Sequence, residues 1–385
     1  MTPSSRPTST SNSVLPMSSS TRARLSLALI LALVALAASA LFSTAGAATL
    51  TVHLSEAIPD FPNGITFRLQ ADVSDPVTRV ELRYFPDGVP VINVARPQTR
   101  TGTHVDVTHT VDLLLDYLPP AVDVRYYWQL TLASGESVRT PEQRLFYMDE
   151  QHDWKSLQDG IVTLYYYAGN QSFAQQALDI TVRAIERFDR AFGVTTEGPI
   201  RVVMYANDRD FRAALPVGSD DWVGGFAEPD LGLIVVAIQP GDTGEVARML
   251  SHEVVHVVMA QATANPYNAP PPWLNEGIAS YYQEVPDDRF APVIQRAARE
   301  GRLDTVRALN SAFPADPAAA ILAYAESESI ARFIIEEKGT DAMADLINVF
   351  REGVSYDEAV QRALGISLDE LDQEWKAWLG YPGDA

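Results

Sequence analysis

The N-terminal part of the chain alternates between hydrophobic and polar positions over several short stretches. Hydrophobic residues occupy every second position in residues 65–69, 80–84 and 122–132. A period of two is typical of strands that bury one face, and turn residues such as Pro119, Pro120 and Gly135 separate these stretches. We therefore predict an all-β sandwich of immunoglobulin or fibronectin type III character over residues 48–148.

Beyond residue 153 the pattern changes to that of an α+β domain. Strands are expected at residues 200–205 and 231–238, and nearly every segment from Asp242 onward has a helical pattern. Three pairs have the spacing of a capping box and predict helix starts: Ser172 with Gln175, Ser355 with Glu358, and Ser367 with Glu370. The chain is thus predicted to be multidomain, with residues 149–385 forming an α+β domain whose C-terminal half is helical.

The first 47 residues resemble a targeting segment. Residues 1–24 carry three arginines and no acidic residue, residues 25–42 are apolar, and residues 45–48 are small. This is the order of a secretory signal peptide, although a run of about 18 apolar residues is also long enough for an uncleaved anchor. We predict that residues 1–47 are a signal peptide or N-terminal membrane anchor. The mature protein is then extracytoplasmic, either secreted or attached to the outer face of the cytoplasmic membrane.

The amino-acid composition limits the partners and the kinds of metal site that the chain can have. The 385 residues include 29 Lys plus Arg and 50 Asp plus Glu, which gives a net charge of −21. Because phosphate binding needs clustered cations, nucleic acid is not an expected partner. The chain has no cysteine, so disulfides and thiolate metal sites are excluded. A transition-metal site would have to use the six histidines together with carboxylates.

One pair of histidines has the spacing of a shared metal site. His252 and His256 are four residues apart, which on a helix places both imidazoles on one face, and Glu253 lies next to the first. The valines around them would also suit a strand, but the segment runs from a cap at Asp242 to a stop at Asn265, which favours a buried helix. The other four histidines are predicted to be surface or hydrogen-bonded residues.

A third metal ligand downstream must be acidic, because no histidine follows His256 and the chain has no cysteine. Glu276 is the best candidate, since it opens a second predicted helix after Pro270-Pro271-Pro272. The alternative is a solvated glutamate favoured by the helix dipole. Two histidines and one glutamate leave a fourth position open, as in catalytic zinc sites, so we predict one Zn²⁺ per chain.

These residues carry a family resemblance. His252-Glu253-x-x-His256, followed by Glu276 in a Trp-Leu-Asn-Glu-Gly-Ile-Ala context, resembles the gluzincin metallopeptidases, specifically the bacterial peptidase MA-like group related to thermolysin and the M1 aminopeptidases. The resemblance covers roughly residues 160–380 and implies a zincin catalytic domain of thermolysin-like fold. It implies Glu253 as the general base and Tyr324 as the group that holds the oxyanion.

The resemblance also implies a substrate-binding sheet edge at Gly224, Gly225 and Phe226, in a hairpin where an ordinary tight turn is the alternative. Tyr281 and Tyr282 are the other phenols near the site. The chain departs from thermolysin at Ser280, where the family has an acid that orients a zinc histidine, and Glu228 is the nearest match to an amino-terminus anchor.

The function predicted from the sequence is a zinc-dependent peptidase that hydrolyses a peptide or protein substrate with Glu253 as the base. The rival is a non-catalytic, peptidase-like envelope protein in which the β-sandwich provides the interaction. A structural zinc clip is a third reading. Substrate preference, endopeptidase or aminopeptidase action, membrane attachment through residues 25–42 and the oligomeric state are left open.

Overall fold

A computed structural model describes residues 48–219 and 223–381 of the chain. The predicted signal or anchor segment, residues 1–47, lies outside the described residues, as do 220–222 and 382–385. Within the described ranges, no helix combines the length and the apolar character that crossing a bilayer requires.

The N-terminal region is rich in β-structure and centres on one long strand. Its strands are β1 (Leu50–Asp60), β2 (Gly64–Pro86), β3 (Asn93–Ala95), β4 (Gly102–Asp112), β5 (Val122–Leu132), β6 (Ser137–Arg139) and β7 (Gln143–Tyr147). The first half of β2 pairs with β1 and β4, and the second half pairs with β3 and β5. Strand β5 also pairs with β6 and β7. All pairings are antiparallel.

Strand β2 folds back on itself. The rings of Phe67 and Tyr84 lie 5.7 Å apart, although a straight strand would separate them by more than about 50 Å. The pairing register shifts between Asp72 and Val77, where the strand bends. The two hydrophobic stretches at 65–69 and 80–84 are therefore halves of one strand, and their buried faces meet across a common core, with Phe67 packed edge-on to Tyr126.

The second part of the chain combines a five-stranded sheet with helices. The strands are β8 (Lys155–Asp159), β9 (Val162–Tyr166), β10 (Ile200–Tyr205), β11 (Gly225–Glu228) and β12 (Leu233–Ala237), in the order β11-β12-β10-β9-β8. The helices are α1 (Gln171–Phe192), α2 (Asp208–Arg212), α3 (Thr243–Ala262), α4 (Pro272–Tyr282), α5 (Phe290–Arg299), α6 (Pro317–Phe333), α7 (Thr340–Val349), α8 (Tyr356–Leu364) and α9 (Leu368–Trp378). The predicted β-rich N-terminal region and helical C-terminal half are confirmed.

Two predicted helix starts agree with the structure and one is wrong. Helices α8 and α9 begin after Ser355 and Ser367, and the latter forms a full capping box with Glu370. Helix α1 begins after Asn170, whose side chain accepts the capping hydrogen bond, so Ser172 lies inside the first turn. Asparagine caps a helix as well as serine does, so the Ser-x-x-Gln spacing alone does not fix the first residue of this helix.

The five-stranded sheet is buried on both faces, and this arrangement positions the helix of the histidine pair. Alternate residues of β10 and β12 point to opposite sides. Val202 and Ile234 pack with the helices, whereas Val203 and Leu233 pack with the core of the N-terminal β-region. Helix α3 lies on the first face, in contact with β11, β12 and α1.

The four remaining histidines lie away from this helix, and three of them have polar or aromatic partners. His53 and His104 come from β1 and β4 and both contact Asp72 of β2, at 2.7 and 2.9 Å, on an exposed surface. His152 stacks on Tyr167 with ring centroids 4.0 Å apart. Among the described residues, none of the four belongs to a group of three donors close enough together to hold a metal ion.

Glu326 of α6 gives the fold a predicted pH dependence. It is 0% exposed, and one carboxylate oxygen accepts a hydrogen bond from the Asp304 backbone while the other has no partner. Burial raises the pKa of Glu326 from 4.5 to about 8. Between these two pH values the carboxyl group is protonated in the folded state and ionised in the unfolded state. This contribution to the free energy of unfolding is fully present below pH 4.5 and is lost as the pH rises through 8.

Replacing Glu326 by glutamine is expected to remove this dependence. The amide keeps the acceptor for Asp304 and carries no charge, so at pH 9 the variant should be more stable than the wild type by about 1–3 kcal/mol. The difference should shrink on acidification. Chemical denaturation between pH 5 and pH 9 measures both, with Glu186→Gln at an exposed position as the control. Parallel stability curves for wild type and Glu326→Gln would contradict the assignment.

Candidate metal centre

Helix α3 forms as the sequence predicts. Asp242 caps it by accepting a hydrogen bond from the Glu245 backbone, and the helix continues to Ala262. Its valines are buried against the sheet and the neighbouring helices, so tertiary packing overrides their preference for strands. His252, Glu253 and His256 occupy the face of this helix that borders a cleft of about 780 Å³.

Helix α4 brings Glu276 to the same cleft. The helix begins at Pro272, a position where the missing amide hydrogen costs nothing. Gly277 allows α4 to pack closely on α6, because a Cβ at this position would lie only 2.3 Å from the carbonyl oxygen of Ser327. The close packing on α6 holds Glu276 opposite the two histidines of α3.

The three predicted ligands converge. The Oε2 atom of Glu276 lies 3.4 Å from Nε2 of His252 and 3.6 Å from Nε2 of His256. One donor atom from each residue falls within 4.8 Å of the others. The centroids of the two imidazole rings are 5.0 Å apart and the rings are inclined at 79°, so the rings meet edge to face and do not stack.

The residues fit a metal ion. Glu276 Oε2 is buried and has no hydrogen-bond partner, which is costly unless a cation occupies the space between it and the imidazoles. Burial opposes the charge on Glu276, but His256 and His252 outweigh it and lower its pKa. Two imidazoles and one carboxylate are the ligand set that zinc takes in open, catalytic sites.

Glu253 lies beside this group without being one of the three converging donors. Burial raises the pKa of its carboxyl, although the two histidines oppose the shift. Its Oε1 packs against β11, where a Cβ on Gly225 would come within 3.1 Å of that oxygen. A glycine at 225 therefore leaves room for the Glu253 carboxylate at the cleft wall.

Asn275 orients one of the histidines, a role that sequence reasoning did not assign. Its Oδ1 lies 3.1 Å from Nδ1 of His256, which leaves Nε2 directed at Glu276. The signal was present in the sequence, because Asn275 immediately precedes the predicted ligand. Ser280, at the position where an orienting acid was expected, has no hydrogen-bond partner in the described structure.

We expect Asn275→Ala to weaken metal binding by about 10- to 100-fold, because the freed imidazole of His256 can rotate and lose the tautomer that ligation needs. Competition with a chelator of known affinity would measure the change in affinity. The substitution Asn275→Asp, which keeps the acceptor, should retain tight binding. Equal metal affinity in wild type and Asn275→Ala would exclude this orienting role.

Tyr324 borders the cleft from helix α6. Its ring packs edge-on against Phe313, with centroids 5.1 Å apart, and burial followed by the charges of Glu276 and Glu253 raises its pKa well above the ordinary value. It therefore carries a hydroxyl hydrogen at neutral pH. The other two phenols do not line the cleft: Tyr282 is buried beside Phe192, and Tyr281 packs under Arg332.

Strand β11 forms one rim of the cleft and is an edge strand of its sheet. Gly224 accepts a hydrogen bond from Ala237 of β12, so the backbone groups of the next residue, Gly225, point outward by the alternation of an antiparallel pair. The side chain of Phe226 lies on the face of the sheet away from α3, where its ring packs with Phe211. Glu228 does not line the cleft.

Charged pairs also line the cleft. Arg248 lies one turn before His252 on α3 and bonds Glu245 through Nε and Nη2, at 3.0 and 2.5 Å. Hydrogen bonds from Arg289 lower the pKa of Asp287, and the positive charge of Arg248 acts in the same direction. Glu245 and Asp287 are therefore each paired with an arginine.

Comparison with known proteins agrees with this geometry. Residues 180–381 match the family model of the Peptidase MA superfamily. No curated protein matches the chain. Among solved structures, the chain is similar to a Br derivative of BhCBM56, at 11% identity and a TM-score of 0.19, over 25% of this chain and 97% of that one. It is also similar to BC0361, a polysaccharide deacetylase from Bacillus cereus, at 7% identity and a TM-score of 0.20, over 46% of this chain and 57% of that one.

TM-scores this low carry no argument about fold or function. The family match is different in kind, because it spans more than half of the 385 residues and includes His252, Glu253, His256, Glu276 and Tyr324. The chain belongs to the Peptidase MA superfamily.

Proposed function

We propose that this protein is a zinc-dependent peptidase of the gluzincin type, related to thermolysin and the M1 aminopeptidases. The observation that carries the proposal is the position of Glu276 Oε2, buried and without a hydrogen bond, 3.4 and 3.6 Å from the two histidines of α3. Membership of the Peptidase MA superfamily supports it. One Zn²⁺ per chain, held by His252, His256 and Glu276, would polarise a carbonyl and acidify water.

Glu253 provides the proton transfers. Its carboxylate, at the cleft wall beside the ligands, accepts a proton from the attacking water and then passes it to the leaving amine. Burial raises the pKa of Glu253, which makes its carboxylate a stronger base toward the attacking water. Because Glu253 is not one of the three converging donors, its lone pairs stay available for this work.

Tyr324 and strand β11 are proposed to hold the substrate. The Tyr324 hydroxyl, protonated at neutral pH, donates to the oxygen on which negative charge develops when the amide carbonyl is attacked. The outward-facing backbone of Gly225 pairs with an extended peptide, in the manner of strand addition to a sheet edge. Gly224 and Phe226 line the cleft on either side of Gly225, their own backbones pair with β12, and the Phe226 ring packs with Phe211 on the other face of the sheet.

The N-terminal sequence supports a proposal about where the enzyme acts. We propose that residues 1–47 direct the protein out of the cytoplasm, as a cleaved signal or as an anchor through residues 25–42. The folded-back β-region is proposed to be a sandwich of immunoglobulin or fibronectin type III character that supports the sheet from its second face. Peptides or proteins are the proposed substrates, and nucleic acid is not an expected partner at a net charge of −21.

Incubation with a mixed pool of unmodified peptides tests the proposed activity. The purified protein should produce cleavage products by mass spectrometry, lose this activity on chelation, and regain it when zinc is restored. The positions of the new termini also distinguish internal cleavage from stepwise removal of terminal residues. A zinc-loaded protein that leaves every peptide intact would favour the non-catalytic alternative, in which the β-region provides the interaction.

A further inference from the structure

The face of α4 that carries Glu276 continues beyond the metal centre as a polar stripe. Ser280 and Gln283 follow Glu276 by four and seven residues, so all three side chains lie on one side of the helix. All three line the same cleft. A helical rise of 1.5 Å per residue places Ser280 about 6 Å and Gln283 about 10 Å along the axis from the ligand.

Both polar side chains are buried without a partner. Ser280 is 4% exposed and Gln283 is 6% exposed. Neither the hydroxyl of Ser280 nor the amide nitrogen of Gln283 makes a hydrogen bond among the described residues. Buried donors are nearly always paired in native proteins. Two unpaired donors in the wall of one cleft therefore indicate that a ligand supplies the missing hydrogen-bond acceptor.

Arg248, which lines the same cleft, adds a third donor. Arg248 uses Nε and Nη2 for Glu245, and its Nη1 has no hydrogen bond in the described part of the chain. The nearby acid Asp287 is occupied by the side chain and backbone of Arg289. The carboxylates of Glu245 and Asp287 in this part of the cleft are therefore already paired with arginines, while Arg248 Nη1, the Ser280 hydroxyl and the Gln283 amide nitrogen remain as donors.

We propose that this end of the cleft is a specificity pocket for a substrate residue that carries a side-chain carbonyl or carboxylate oxygen, as glutamine and glutamate do. The inference rests on the proposed peptidase function and names the substrate class of that site. A distance of about 6–10 Å from the metal ligand corresponds to the side chain of a residue next to the scissile bond, since extended chain advances about 3.3 Å per residue.

An apolar side chain of the same length would bind less well, because it would leave the donors buried and unpaired. Sites built to hydrogen-bond a substrate group reject analogues that lack it more strongly than apolar pockets reject a missing methylene. Methionine matches glutamine in length and lacks the amide oxygen. Comparing a Gln peptide with a Met peptide therefore measures the contribution of the side-chain oxygen to binding.

Binding to the zinc-loaded Glu253→Gln protein tests the pocket independently of turnover. The probes are six-residue alanine peptides with one central Gln, Glu or Met, measured by fluorescence anisotropy. We expect the Gln or Glu peptide to bind at least about tenfold tighter than the Met peptide. Adding Arg248→Met should weaken the Glu peptide and spare the Gln peptide, which distinguishes a carboxylate from an amide as the preferred group.

The double substitution Ser280→Ala/Gln283→Leu should reduce the preference to less than about twofold, and Ser280→Ala alone, which adds no bulk, should reduce it partially. Ser311→Ala/Gln295→Leu, the same changes at exposed positions, should leave it intact. Equal affinity for the Gln, Glu and Met peptides, or a preference that survives the double substitution, would overturn the pocket. If the peptide pool is cleaved without such a preference, the pocket fails and the peptidase stands. If the binding preference appears but no peptide is cleaved, the pocket stands and the proposed peptidase function fails.

Discussion

Replacing Glu253 by glutamine is expected to slow peptide hydrolysis by about 10²- to 10⁴-fold while the metal stays bound. Glutamine has the shape of glutamate and fits beside Gly225, where the side-chain oxygen already lies close to the strand. It cannot accept a proton at neutral pH, so the attacking water loses its base. Because the ligands His252, His256 and Glu276 are untouched, the metal content should not change.

The measurement pairs steady-state rates on one cleaved peptide with metal analysis of the same samples. Glu284→Gln is the matched control, since this glutamate lies outside the cleft and pairs with Arg183. It should hydrolyse at the wild-type rate. A Glu253→Gln enzyme with full metal content and the wild-type rate would show that another group is the base.

Removing the hydroxyl of Tyr324 is expected to lower kcat by about 10²- to 10³-fold with a small change in KM. The hydroxyl acts mainly on the charge that develops in the transition state, so its loss affects the reaction step more than ground-state binding. Phenylalanine preserves the edge-on contact with Phe313, and the fold of α6 should be unchanged.

Tyr281→Phe is the control for this substitution. Tyr281 packs under Arg332 and does not line the cleft, so its hydroxyl should be dispensable for turnover. Kinetics of the two variants over the same substrate range separate kcat from KM. An unchanged kcat in Tyr324→Phe would assign oxyanion stabilisation to the metal alone, and a loss of metal would show that the substitution disturbs the site.

The parts of the site that the sequence predicts well depend on local spacing. Two histidines one helical turn apart share a face in any α-helix, and the structure brings His252 and His256 to the same cleft. The placement of Glu276 needed one further argument, the exclusion of other ligand types by composition. The structure places its Oε2 atom 3.4 and 3.6 Å from the Nε2 atoms of the two histidines.

The parts that the sequence did not predict depend on contacts between distant segments. Asn275 meets His256 only because α4 packs across α3, and its place next to Glu276 in the sequence does not by itself give that contact. The bend of β2 is similar: each half alternates as a strand should, and only tertiary packing joins Phe67 to Tyr84. The orientation of Phe226 follows from which residues of β11 pair with β12.

Zinc content per chain tests the central claim most directly. The account predicts about one Zn²⁺ bound per wild-type chain after purification and dialysis, and its loss in His256→Ala and Glu276→Ala, with the fold retained in each case by circular dichroism. The cleft then holds the metal through the three side chains that converge there. A folded wild-type protein that binds no zinc, or one whose zinc survives both substitutions, would contradict the account.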